Sequence, residues 1–230
     1  TLPCVVHDGG NEIAEPIGLS ADAEMELLPI GRRAIAANAL PTSKTPDSRT
    51  PSSAVSDPAS GSRIDLQTYG YGQPLEFDGT LQGANLGTWL HRCFETLGPR
   101  PDLMDKIAST TEGDIDVSVL DQVGRAIQSF ESWLKTGLKA RRILREWPLL
   151  GMASDGGVIS GVADLVVETP EGVWVIDHKS DQVTDTAAAF QSYLAQLECY
   201  AAILQAAGQP VAGVGINWIR RGEVMLMPDA

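Results

Sequence analysis

The chain has 230 residues, 43% of them hydrophobic, with 17 basic and 30 acidic side chains and a net charge of −13, which is enough apolar material for one sizeable core. No apolar run approaches the ~18 residues needed to cross a bilayer, and the start Thr1-Leu2-Pro3-Cys4 lacks a signal-peptide pattern, so a transmembrane protein is excluded. The acidic balance also argues against a free-standing nucleic-acid binder, although Lys135, Lys139, Arg141, Arg142 and Arg145 crowd into one short stretch.

Residues 20–39 predict a helical leader, with Ser20 as cap, Asp22, Glu24 and Glu26 early, Arg32 and Arg33 late, and a break at Pro29 and Gly31. From residue 41 to 63 the composition turns to Ser, Thr and Pro, which predicts a flexible linker after a leader spanning 1–40. The main domain is expected over 64–230. Within it, 83–97 carries Leu86, Trp89, Leu90, Phe94 and Leu97 at helical spacing, with His91 and Glu95 on a neighbouring face. A longer helix is expected over 115–140, interrupted or ended near Gly137.

The period then changes. Residues 143–149, 158–168 and 173–179 read as strands, the last two joined by a Thr-Pro-Glu-Gly turn. A helix is expected over 186–207, stopped by Gly208-Gln209-Pro210, and a final hairpin turns at Arg220-Arg221-Gly222. This order implies an α/β layer fold with a mixed sheet. Cys4, Cys93 and Cys199 lie far apart without CxxC spacing, which points to neither a disulfide framework nor a zinc site and suits a reducing, cytoplasmic setting.

The hairpin can be registered by eye. With Thr169–Gly172 as the loop, Glu168 faces Val173 and Asp164 faces Asp177. Alternation then places Val162, Asp164 and Val166 on one face with Val173, Val175, Asp177 and Lys179. Two like charges about 4 Å apart repel by roughly 4 kcal/mol at an effective dielectric near 20. Either one aspartate takes up a proton or a cation sits between them, and hard oxygen ligands favour Mg²⁺ or Mn²⁺. The ordinary alternative is a strand-end salt bridge from Asp177 to Lys179, with Asp164 solvated.

Gly161-Val162-Ala163-Asp164 followed by Asp177-His178-Lys179 resembles the PD-(D/E)XK nuclease superfamily. Gln196 and Tyr200 resemble the QxxxY motif of its RecB-type branch, Gly87 and His91 the GxxxH helix, and Arg145-Glu146-Trp147-Pro148-Leu149 the preceding strand. The closest likeness is to the C-terminal nuclease domain of AddA-type (UvrD-like) helicase–nucleases. That resemblance implies a restriction-endonuclease-like α/β core, a mixed central sheet flanked by helices, and a Mg²⁺- or Mn²⁺-dependent deoxyribonuclease. It implies a metal held by His91, Asp164, Asp177 and the backbone carbonyl of His178. Lys179 would stand beside the attacking water, Glu146 would support the metal, and Gln196 and Tyr200 would position the substrate backbone or the lysine. Where tyrosine is often found, this chain has His178, whose side chain is expected on the opposite face.

The resemblance further implies DNA as substrate, as single strands delivered by a linked helicase that alone would use ATP. It also implies a partner nuclease or helicase subunit, a place in double-strand-break repair, and a bacterial cytoplasm. No cysteine follows Cys199, so no iron–sulfur cluster is expected. Two rival readings are an inactive nuclease fold serving as DNA clamp or subunit brace, and a stand-alone RecB-like exonuclease. Tyr193, Tyr200, Cys93 and Cys199 also have a plain reading as packing residues, and Glu146 as a salt-bridge partner of the nearby arginines.

Overall fold

In the computed structural model the described residues are 48–51, 65–77, 83–109, 117–152 and 157–229. The expected helical leader and the rest of the expected linker lie outside them. The elements are β1 (Ser48–Arg49), β2 (Gln67–Gly70), α1 (Gly83–Leu97), α2 (Met104–Ser109), α3 (Val117–Thr136), β3 (Arg142–Met152), β4 (Val158–Thr169), β5 (Gly172–Lys179), α4 (Thr186–Ala206), β6 (Val211–Trp218) and β7 (Glu223–Pro228).

The seven strands form one mixed sheet in the order β1-β4-β5-β6-β7-β2, with β3 along β4 as well. The expected α/β class, a mixed sheet flanked by helices, is what the chain forms. β5 is central: it pairs antiparallel with β4 and parallel with β6. It is buried along nearly its whole length, which accounts for its Val-Trp-Val-Ile run. A parallel pair needs a crossover, and α4 supplies it. Asp185 caps that helix, accepting from the N–H groups of Ala187 and Ala188 at 3.1 and 3.0 Å.

The sheet separates two apolar layers. On one face α1 and α3 bring Leu90, Phe94, Leu97, Val123, Ile127 and Phe130 down onto Leu165, Val167 and Ile176. On the other, α4 sets Phe190, Leu197, Ile203 and Leu204 against Val166, Val173, Val175 and Ile216. The spacing that predicts 83–97 as a helix is thus the spacing of the residues it buries. Gly87 serves packing rather than flexibility. A Cβ there would lie 2.9 Å from the Ser180 Oγ, so its absence lets α1 close onto the end of β5.

Three elements have no counterpart in the sequence reading: the edge strand β2, the short helix α2, and β1. The last falls in the stretch expected to be linker. Ser48 and Arg49 pair in parallel with Val158 and Ile159, and Pro51 is buried. Among the described residues no helix is long and apolar enough to cross a membrane.

Candidate active site

The site lies where the β4–β5 hairpin opens. Pairing runs from Thr169↔Gly172 to Leu165↔Ile176, in the register expected from the turn, and stops there. The next step would join Asp164 to Asp177. Instead an Asp164 Oδ2 accepts from the backbone N–H of His178 at 2.7 Å, so a carboxylate takes the donor that strand pairing leaves free.

The neighbouring strand yields at the same level. β3 pairs with β4 on both sides of Glu146 but not at it, and Glu146 has a left-handed φ of 47°. Leu144 and Leu149 both pack in the α4 layer, as do Ala163 and Val166, although the members of each pair are an odd number of positions apart. Regular alternation would send them to opposite faces. Both strands therefore shift by one residue at Glu146 and Asp164. This corrects the expected face: Asp164 does not line up beneath Val166, and Val162 is exposed.

Asp177 is 4% exposed. Its Oδ1 accepts from the Gln196 amide at 3.1 Å. Its Oδ2 lies 2.7 Å from the Lys179 Nζ at an angle too poor for a hydrogen bond, so this buried oxygen makes none. Tyr200 donates to the Val162 carbonyl at 2.8 Å. The motif residues of α4 therefore hold Asp177 and β4, and neither holds Lys179. The α4 residue that meets Lys179 is Tyr193, whose ring centroid is 4.3 Å from the Nζ. Composition gave no signal for Tyr193, but its place three residues before Gln196 and seven before Tyr200 puts all three on one stripe of the helix.

His91 reaches the site from α1, with Nδ1 3.8 Å from the Asp164 Oδ2. Burial holds its imidazole below the ordinary histidine range, against the opposing pull of the Asp177 charge. His178 turns to the α1–α3 face as expected. Its ring lies against Phe94 and Phe130, and its Nδ1 is 2.9 Å from the buried Asn217 amide nitrogen. Glu146 is exposed; partial desolvation and then the charges of Glu95 and Asp177 push its carboxyl up. The arginines beside it are engaged elsewhere, Arg145 with Glu131 and Arg142 with Glu168. Thr88, His91, Glu146, Asp164, Lys179 and Tyr193 line one open cleft of about 680 Å³.

The electrostatics follow from the geometry. Asp164 is pushed up to about 7, first by burial and then by the charge of Asp177, while the His178 N–H pulls in the opposite direction. Two carboxylates that cannot both ionise freely, one with a buried oxygen lacking a hydrogen bond, are the donors a hard divalent cation takes. Among the described residues no three His, Cys, Asp or Glu side chains are already grouped as a metal site; the two aspartates are the hard donors of the site, and His91 stands 3.8 Å from Asp164.

Compared with known proteins, residues 68–222, more than half of the chain, match the family model of the PD-(D/E)XK nuclease superfamily. No curated protein matches the chain.

Proposed function

The chain belongs to the PD-(D/E)XK nuclease superfamily, and from that membership we propose that it is a Mg²⁺- or Mn²⁺-dependent deoxyribonuclease that hydrolyses phosphodiester bonds. One observation carries the reading. The hairpin gives up its pairing at the point where Asp164 and Asp177 would meet, and leaves the buried Asp177 Oδ2 without a hydrogen bond, with the Lys179 ammonium at 2.7 Å as its counter-charge. A fold that needed only stability would continue the ladder with apolar pairs, as it does at Leu165–Ile176, Val166–Val175 and Val167–Trp174. The same point disfavours an inactive clamp or brace, which would have no use for this charge cluster.

In this proposal Asp164, Asp177 and the His178 carbonyl hold the metal, with His91 as a further ligand from α1 and Glu146 supporting the site from β3. When bound, the ion supplies Lewis-acid polarisation of a phosphoryl oxygen and acidifies a water. The chain's own residues do the rest. Gln196 keeps the Asp177 carboxylate turned into the site, and Tyr200 ties down the β4 backbone two residues before Asp164. Lys179 places a positive charge where negative charge grows on the phosphate oxygens as water adds to phosphorus and the 3′ or 5′ oxygen leaves.

The finer assignment is exonucleolytic trimming of single strands delivered by a linked ATP-dependent helicase of the AddA type, with a partner nuclease or helicase subunit, in double-strand-break repair. The motif order of Gly87, His91, Glu146, Asp164, Asp177, Lys179, Gln196 and Tyr200 supports it. Linear and closed-circular single-stranded DNA, incubated with Mg²⁺ or Mn²⁺, test both levels. Cleavage of the linear substrate alone, abolished by Asp177→Ala, fits the whole proposal. Cutting of circles removes the exonuclease assignment, and wild type that cuts no better than the variant removes the enzyme. Mn²⁺ should also raise the melting temperature of the wild type and leave that of the variant unchanged.

A further inference from the structure

Helix α4 offers one stripe of side chains to the site, and each takes a different target. Tyr200 holds the Val162 carbonyl, Gln196 holds Asp177, and Tyr193 lies under Lys179. The first two belong to the motif read from the sequence; the third does not.

We propose that Tyr193 is a positioning residue of the cleavage reaction, its ring face seating the Lys179 ammonium between itself and the Asp177 carboxylate. The proposal rests on the nuclease reading above. Lysine carries its charge on a flexible four-carbon stem, so a catalytic ammonium needs a seat. On one side Nζ is 2.7 Å from the Asp177 Oδ2, and on the other it is 4.3 Å from the centre of the Tyr193 ring. A ring face attracts a cation through its quadrupole, and more strongly where water is partly excluded; the Lys179 side chain is only 18% exposed.

The seat is itself fixed. The Tyr193 hydroxyl donates to Asp181 Oδ2 at 2.8 Å, and Trp218 meets the ring edge-on at 6.3 Å. A residue serving only as core filler would give its faces to apolar neighbours, whereas this one gives a face to a cation and its hydroxyl to an exposed carboxylate. Burial and the Asp181 bond push the phenol up to about 12, so it stays protonated near neutral pH, with its proton directed to Asp181. That makes the role positional.

Three variants of the full chain test this on linear single-stranded DNA with Mn²⁺. Tyr193→Phe keeps the ring and loses the Asp181 bond, Tyr193→Leu loses the ring, and Tyr193→Met replaces the leucine variant if that one does not fold. The ringless variant should lose about tenfold in kcat, with KM and calorimetric Mn²⁺ affinity within about twofold of wild type, while Tyr193→Phe keeps at least half of kcat. Wild-type kcat in the ringless variant overturns the proposal. So does equal damage in Tyr193→Phe, which would assign the effect to the hydroxyl, or a raised KM with kcat intact, which would make the ring a base-stacking surface. The Lys179 ε-methylene proton signals, read by NMR, should show an upfield ring-current shift in wild type and Tyr193→Phe that vanishes without the ring. That shift does not depend on cleavage. Its absence in wild type overturns the seat, whereas its presence in a wild type that cuts nothing overturns the nuclease reading.

Discussion

The two halves of the β4–β5 hairpin are built from the same two strands and meet opposite demands. From Leu165 to Thr169 the ladder is complete and Leu165, Val166 and Val167 are buried on both faces. One step further, pairing stops, Asp164 occupies a backbone donor with its side chain, and Glu146 of the adjacent strand enters a left-handed conformation. The closed half supplies stability, and the open half spends some of it on a constellation of charge that packing alone would never favour. The rigidity of the first fixes the geometry of the second, because the carboxylates begin one residue beyond the last paired rung.

Substitutions should fall into two classes according to the half they touch. In the open half, Asp177→Asn should lower cleavage to about one thousandth or less. The metal-free melting temperature should stay within about 5 °C, since loss of the Lys179 ion pair and relief of the repulsion on Asp164 offset each other. Steady-state cleavage and calorimetry on the same sample check both, and a collapse of the fold would make the pair structural.

Acid–base linkage gives the next largest effect. Asp164 is raised from 3.8 to about 7 in the folded chain. The folded state therefore binds the extra proton between those values, and that contribution to stability is complete below about 4 and lost as pH rises through 7. In EDTA, denaturant unfolding should show about 2–4 kcal/mol less stability at pH 8 than at pH 4 from this group, with a flatter profile in Asp164→Asn. A metal reverses the preference, so Mn²⁺ affinity should climb through the same window as the proton leaves.

In the closed half the pattern inverts. Val167 is fully buried against the α1–α3 layer, and Val167→Ala should cost about 2–3 kcal/mol of unfolding free energy. The fraction that remains folded should cut DNA at nearly the wild-type rate. A loss of kcat per folded molecule as large as the loss in Asp177→Asn would erase the division between the halves.

Much of this division was legible in the amino acids, and the part that was not has a physical cause. The apolar stripe of 83–97 and the turn at Thr169–Gly172 are local signals, so α1 and the register of the hairpin followed from spacing and turn chemistry alone. The aspartates were found because like charges opposite each other are costly. Their true orientation escaped, since the one-residue shift at Glu146 and Asp164 arises from a left-handed residue that nothing local in Arg-Glu-Trp announces. Strand β1 escaped because its two residues pair with β4, more than a hundred positions away. Tyr193 escaped for the opposite reason: an aromatic on an apolar helix reads as core, and only the position of Lys179 gives its ring face a target.

Glu146 gives the smallest and sharpest probe of the boundary. A side chain other than glycine at φ 47° carries a conformational cost of about 1 kcal/mol that glycine avoids. Glu146→Gly also removes a carboxyl that desolvation and the charges of Glu95 and Asp177 hold above its usual range; the residue is exposed, so solvent screens that gain and it adds little to the backbone relief, but both favour the folded state. They oppose the greater chain entropy that glycine brings to the unfolded state. The variant should be as stable as the wild type or more stable by about 1 kcal/mol, measured by denaturant unfolding without metal, while cleavage falls by about tenfold or more. Glu146→Ala loses the same carboxyl but keeps the Cβ and its strain, so it should be the less stable of the two variants and equally impaired in cleavage. If the glycine variant is instead the less stable one, the left-handed turn of β3 is held by packing around the residue, and the open half of the sheet is shaped from β3 rather than by the aspartates it presents.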